Sequence, residues 1–221
     1  MCGIAGWLHA EVAPSAREAQ VAAMVRAQWH RGPDAQAVTS AGDATLGVAR
    51  LAIVDRASGQ QPMARDGLWL AFNGELYNHA ALRRELTSRG VAFRTDSDTE
   101  VVLAAHLVWG LDAPARFDGM FAYALWQPDA GELWLVRDRL GIKPLYWTQT
   151  AGGVAFSSEI KGLLAMQQGR GRPDWQGLLE VFAHGAAFPA GASVGERTCF
   201  AGVSALLPAT MLRVRSDGIE Q

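Results

Sequence analysis

Cysteine is almost missing from this chain: its 221 residues hold two, Cys2 and Cys199, too few for a disulfide framework. Long apolar runs are missing as well. No stretch approaches the ~18 consecutive apolar residues of a membrane-spanning helix, and no signal-peptide pattern opens the chain. Charge of one sign is not in excess, with 20 Lys and Arg against 22 Asp and Glu for a net −2. Without a basic block, nucleic acid is excluded as an expected partner, and so is a membrane. Histidine is scarce too, and His79, His106 and His184 stand at no metal-ligand spacing, so no metal site is expected. What is present, 49% hydrophobic and 19% charged residues, belongs to a folded chain that can bury a sizeable core.

One of the two cysteines stands second in the chain. Removal of the initiator Met, efficient before small residues, leaves Cys2 with a free thiol and a free α-amine. An α-amine of ordinary pKa, about 7.7–8.0, can accept the thiol proton near neutrality, so nucleophile and base sit on one residue. A retained Met1 blocks that arrangement. The apolar residues 3–8 behind Cys2 read as a buried strand. A required free thiol favours a reducing compartment, and a cytoplasmic location is expected.

Along the chain, Ser15 is read as the cap of a helix with Val21, Met24, Val25 and Trp29 at helical spacing. Residues 46–54 read as a strand with Arg50 in its middle, and residues 68–72 as another that breaks at Asn73-Gly74. Asn78 is expected to cap a helix through Leu82 and Leu86 that stops near Gly90. Ser97 and Glu100 fit a capping box for the next helix. Residues 121–126 and 133–136 read as a hairpin, followed by a strand at 153–156, a helix from Ser157 onward, a short helix at 175–183 and a strand at 211–214. The eight Trp are assigned to the core. The pattern suggests two sheets with helices packed outside.

The motifs resemble, in order, those of the class II, N-terminal-nucleophile glutamine amidotransferases, most closely the glutaminase domain of glutamine-hydrolysing asparagine synthetases. They are Met1-Cys2-Gly3-Ile4-Ala5-Gly6, His30-Arg31-Gly32-Pro33-Asp34, Arg50-Leu51-Ala52-Ile53-Val54-Asp55, Asn73-Gly74-Glu75-Leu76-Tyr77-Asn78 and Ser97-Asp98-Thr99-Glu100. Asp118-Gly119-Met120-Phe121-Ala122, residues 137–146 and Phe156-Ser157-Ser158-Glu159-Ile160-Lys161 complete the set. The resemblance implies an α+β fold, a four-layer αββα sandwich of two antiparallel sheets. It implies hydrolysis of the glutamine side-chain amide to glutamate and ammonia, which in those synthetases passes to an ATP-using domain.

Carried onto this sequence, the resemblance makes Cys2 the nucleophile, with the Asn73 amide and the Gly74 N–H as oxyanion donors. Arg50 suits the glutamine α-carboxylate as a bidentate partner, and Asp98, with Glu75, suits its α-ammonium. The ordinary explanations are an Asn-Gly turn, a surface ion pair for Arg50 and a helix-cap acid for Asp98. His30, Arg31 and Asp34 are expected to shape the supporting loop. Arg137, Asp138, Arg139 and Lys143 read as an ion-pair turn of structural purpose. No Ser-Gly-Gly-x-Asp-Ser pyrophosphate loop occurs, so no cofactor is expected in this chain, ATP and magnesium being implied only for the synthetase domain. The division expected is a glutaminase domain over residues 1–164 and, over 165–221, an extension resembling the lead-in to that domain, with Leu207-Pro208-Ala209-Thr210 where the family tends to Leu-Pro-Pro-Gly. Residues 181–207 are expected to offer an apolar docking surface to the partner. The final acceptor stays open between aspartate, a sugar, a phosphoribosyl donor and a peptide, as do a silent docking role and a homodimer.

Overall fold

The computed structural model describes residues 1–53, 55, 58–166, 171–184, 193–215 and 218–220. In chain order, β1 (Gly3–His9), β2 (Ala35–Ala41) and β3 (Ala44–Arg50) enter one sheet, and β4 (Met63–Arg65), β5 (Leu68–Leu76), β6 (Gly119–Gln127) and β7 (Glu132–Arg137) build a second. The chain then returns to the first with β8 (Tyr146–Thr150), β9 (Gly153–Ser157), β10 (Ser193–Val194), β11 (Arg197–Thr198) and β12 (Ser204–Ala205). It ends on the second with β13 (Met211–Arg215) and β14 (Gly218–Glu220). The orders are β10-β11-β12-β8-β9-β1-β3-β2 and β14-β13-β7-β6-β5-β4. The segment after residue 165 thus adds strands to both sheets.

Strand periodicity explains why these segments read as unbroken apolar runs. In β6, Phe121, Tyr123 and Leu125 face one way, and Ala122, Ala124 and Trp126 the other, as alternation along a strand requires. Both faces are buried, because the inner faces of the sheets meet through Ile4, Leu46, Phe156, Ala71, Trp126 and Leu135. The outer face of the first sheet is covered by α1 (Pro14–Ala27) and α4 (Ile160–Met166) through Val21, Met24, Val25 and Leu163. That of the second is covered by α2 (His79–Ser88) and α3 (Asp98–Trp109) through Leu82, Leu86, Val101 and Val102. The stack is the αββα sandwich expected. A further helix, α5 (Trp175–His184), follows α4.

Beneath α3, a polar pair lies sealed in this packing. His106 Nδ1 donates to the Gly110 carbonyl at 2.9 Å, which leaves Nε2 to accept the Tyr123 hydroxyl at 2.8 Å. Burial pushes the imidazole pKa down to about 4 and the phenol up. A His whose folded pKa is depressed takes its proton more readily when unfolded. Stability from this site is therefore full above pH ~6.5, the ordinary His value, and drains as pH falls towards 4. The urea midpoint of the wild type should fall more steeply over that window than that of His106→Gln, and parallel slopes would contradict the assignment.

Several local expectations are corrected. Helix α1 starts from Ala13 with Pro14 at its first turn, not from Ser15, since Pro's fixed φ suits that position. Asn78 does sit at the start of α2 but spends its side chain on the Arg116 carbonyl (2.9 Å) and the Asp118 N–H (3.1 Å). Ser97 caps α3 by accepting the Thr99 N–H, while Glu100 reaches outside the helix to the Arg94 and Thr95 amides, so the box does not close. The strand expected over 46–54 is β3 and stops at Arg50, because beyond it Ala52 N–H turns to Asp34; Val54 lies outside the described residues. The break expected at Asn73 does not occur: Asn73, Gly74 and Glu75 pair with Ala122, Phe121 and Met120 inside β5. Trp29 and Trp175 are exposed rather than core. Of the docking surface expected over 181–207, residues 185–192 lie outside the described residues, and Val203, Ala205 and Leu206 are buried in the core.

Candidate active site

Cys2 immediately precedes β1, whose register with β3 sets Gly3 opposite Ala49, and Arg50 closes β3 beside it. The Leu51 N–H points at Cys2 Sγ from 3.4 Å, and Sγ lies 3.6 Å from the Leu51 carbonyl. The structure carries Met1 ahead of it. Several bonds fix this end of the chain, normally the most mobile part. Ile4 exchanges hydrogen bonds with Ser158, its N–H donating to Oγ and its carbonyl accepting the Ser158 N–H, both at 2.9 Å. Arg31 Nε donates to the Cys2 carbonyl at 2.9 Å, and its Nη1 meets Glu159 at 3.0 Å. His30 reaches the same Glu159 oxygen at 3.0 Å, and Lys161 the other. Burial alone would raise the Glu159 carboxyl, but hydrogen bonds from Arg31, Lys161 and His30 outweigh it and hold the carboxyl below its usual range. His30 is therefore committed to Glu159 rather than to the thiol. Asp34 accepts the Ala52 N–H at 2.8 Å, tying the loop after β3 to the turn before β2.

The facing wall comes from the other sheet. Asn73 is 1% exposed, and neither its Nδ2 nor its Oδ1 has a hydrogen-bond partner among the described residues. A buried amide with both ends idle costs stability, about 1–3 kcal/mol for each unsatisfied group, and is rare enough in native interiors to need a reason. Gly74 permits the close approach of β6, since a Cβ there would lie 2.6 Å from the Met120 carbonyl and 2.7 Å from Phe121 Cβ. Asp98 opens α3 and accepts the Leu76 N–H at 3.1 Å. Its carboxyl is buried, and desolvation raises its pKa against the backbone hydrogen bonds that lower it. The Arg50 guanidinium is buried too and donates to the Asp55 carbonyl at 2.6 Å. Asp55 organises the covering loop: its carboxylate takes the Ser58 N–H (2.9 Å), the Ser58 hydroxyl (2.6 Å) and the Asp96 N–H (2.8 Å).

Cys2, Arg50, Asn73, Gly74, Glu75 and Asp98 line a single cleft between the sheets. His30, Arg31 and Asp34 brace it from behind. Sequence reasoning missed two contributors. Glu159, quoted only as part of a motif, gathers Arg31 and His30 behind Cys2. Lys143, read as part of a structural turn, lines the same cleft as Cys2. The rest of that turn is structural, although its charges bind backbone groups instead of one another. Asp138 collects the N–H groups of Phe121, Leu140, Ile142 and Lys143. Arg137 donates to the carbonyls of Gly141, Lys143 and Leu206, and Arg139 to those of Ala115 and Phe117.

Two solved structures share this layering. The glutamine phosphoribosylpyrophosphate amidotransferase of Bacillus subtilis, complexed with ADP and GMP, superimposes with a TM-score of 0.68 at 19% identity, over 99% of this chain and 48% of that one. A structure described as the allosteric regulatory enzyme of purine biosynthesis gives 0.69 at 18% identity, with the same coverage. These likenesses show a fold shared over nearly the whole of this chain. The chain itself belongs to the glutamine amidotransferase domain family, whose sequence model matches residues 1–221. Among curated relatives, asparagine synthetase [glutamine-hydrolyzing] 3 of Bacillus subtilis (strain 168) is 36% identical over 223 residues, which span 99% of this chain and 36% of that protein. Asparagine synthetase [glutamine-hydrolyzing] 1 of the same strain is 38% identical over 171 residues, 76% of this chain and 27% of that protein. The chain thus spans between about a quarter and about a third of the length of these relatives.

Proposed function

We propose that this chain hydrolyses the side-chain amide of glutamine through a thioester on Cys2 and supplies the ammonia to an asparagine synthetase-type, ATP-dependent domain. The observation that carries the reading is Asn73, an amide held without a partner in the cleft that Cys2 opens into. With Met1 removed, the Cys2 α-amine takes the thiol proton and the thiolate attacks the amide carbon. The oxyanion is received by Asn73 Nδ2 and the Gly74 N–H. As the C–N bond breaks, the amine returns its proton to the leaving nitrogen and ammonia departs. Water, deprotonated by the same amine, then opens the thioester to glutamate and the free thiol.

Arg50 holds the α-carboxylate of glutamine. Asp98, with Glu75, holds its α-ammonium, and a carboxyl whose charge is disfavoured by burial gains most from such a cation. Neither group reacts. Arg50→Ala and Asp98→Asn should therefore raise KM by ~30-fold or more, the cost of about 2 kcal/mol for truncating one side of a buried charge pair, with kcat little changed. Steady-state kinetics in glutamine check this, and a fall in kcat at constant KM would contradict the assignment.

The identities favour aspartate as the eventual acceptor of the ammonia over a sugar or a phosphoribosyl donor, since a relative 36% identical over 99% of this chain is a glutamine-hydrolysing asparagine synthetase. In the test, the purified protein receives glutamine, aspartate and ATP-magnesium while glutamate, ammonia, asparagine and AMP are measured together. Glutamate and equimolar ammonia without asparagine or AMP are expected. Absence of glutamate would leave only a docking role.

A further inference from the structure

Lys143 is a buried ammonium with no part in the steps above. Its position is set by two backbone bonds: its N–H donates to Asp138 at 3.0 Å, and its carbonyl accepts Arg137 Nε at 2.8 Å. The side chain lines the cleft with Met1, Cys2 and Glu75, and Nζ ends 3.0 Å from Met1 Sδ. A charge enclosed in this way costs free energy unless it acts on something, and among the described residues no carboxylate pairs with it within 4 Å. The group it touches is the side chain of the first residue.

We propose that Lys143 is a positioning residue that, with Arg31, keeps the α-amine of processed Cys2 free of its proton near neutrality, so that the amine can serve as the base. This inference rests on the function proposed above. Two cations beside an amine disfavour a third positive charge. The groups facing the terminus are Arg31 and Lys143, which oppose its protonation, and the Cys2 thiol and Asp34, which favour it. Those facing Lys143 are Arg31 on one side and Glu75, Asp138 and Cys2 on the other. In the structure the α-amine is that of Met1, and its pKa is lowered by burial first, with Arg31 and Lys143 adding to the shift and Cys2 and Asp34 opposing it. Met1 fills the space beside Nζ, and Cys2 lines the same cleft, so the amine freed by removing Met1 opens into it.

The test compares wild type, Lys143→Met and Lys143→Arg, each confirmed by mass to begin at Cys2. Two readouts are taken against pH: kcat/KM for glutamine, and the 13Cα resonance of Cys2 in cysteine-labelled protein, which titrates with the amine and needs no turnover. In Lys143→Met both midpoints should move to higher pH by roughly 0.5–1 unit, lowering kcat/KM about three- to tenfold at pH 6.5 and converging with wild type near pH 9. Lys143→Arg should restore both curves. Superimposable curves, or a uniform loss at every pH in both variants, would overturn the proposal. So would a Met variant that fails to fold while Lys143→Gln folds with unshifted midpoints, or two neutral variants that both unfold where Lys143→Arg does not. If wild type releases no glutamate, the function proposed above fails, and the 13C titration alone decides the role of Lys143.

Discussion

Cys2→Ala should reduce glutamine hydrolysis by roughly 10⁴–10⁶-fold, since removing a nucleophile abolishes the covalent route and leaves only binding and oxyanion stabilisation. Cys199→Ala should leave it unchanged. Cys199 lies between β11 and β12, and the described residues around the cleft do not include it. The Leu51 N–H faces the Cys2 thiol, and bonds with Arg31 and Ser158 hold the chain behind it in place. A variant that loses the thiol but keeps these bonds should melt within a degree or two of wild type. Calorimetry beside the activity assay separates loss of chemistry from loss of fold.

Asn73→Ala should lower kcat by roughly 10²–10³-fold, the usual cost of about 2.7–4 kcal/mol for deleting an oxyanion donor. Stability is expected to move in the opposite direction. In the resting enzyme the Asn73 amide is buried with neither end bonded among the described residues, and deleting it removes an unsatisfied group that costs about 1–3 kcal/mol. A variant that is much slower and slightly more stable is what a preorganised donor predicts, stability having been given up for function. If Asn73→Ala lost both activity and stability, Asn73 would be a structural residue of β5.

The residues whose chemistry is local were legible in the chain. Cys2, Arg50, Asn73 and Asp98 are separated by tens of positions, yet their motifs named them, and β1, β3, β5 and α3 bring them to one cleft. The two-sheet sandwich was legible as well, because strands buried on both faces read as apolar runs. What escaped was non-local. Asn73-Gly74 has the composition of a turn but lies within a ladder, because Gly74 lets the backbone of β6 come close. Strand β2, Ala-Gln-Ala-Val-Thr-Ser-Ala, is an edge strand with weak alternation, visible only through its pairing with β3. Lys143 sits in a charged turn whose other members do bind backbone, and nothing nearby in the chain distinguishes it. Only closure of the turn over the terminus sets its ammonium beside Met1.

Cys2, freed of Met1, is proposed as the nucleophile of a glutamine-cleaving site. The most direct test is intact and peptide mass spectrometry of active protein after treatment with a glutamine-like diazo-ketone. One adduct is predicted, on a peptide that begins at Cys2, with loss of activity proportional to labelling. An adduct on Cys199, or full activity in protein that still carries Met1, would contradict the account.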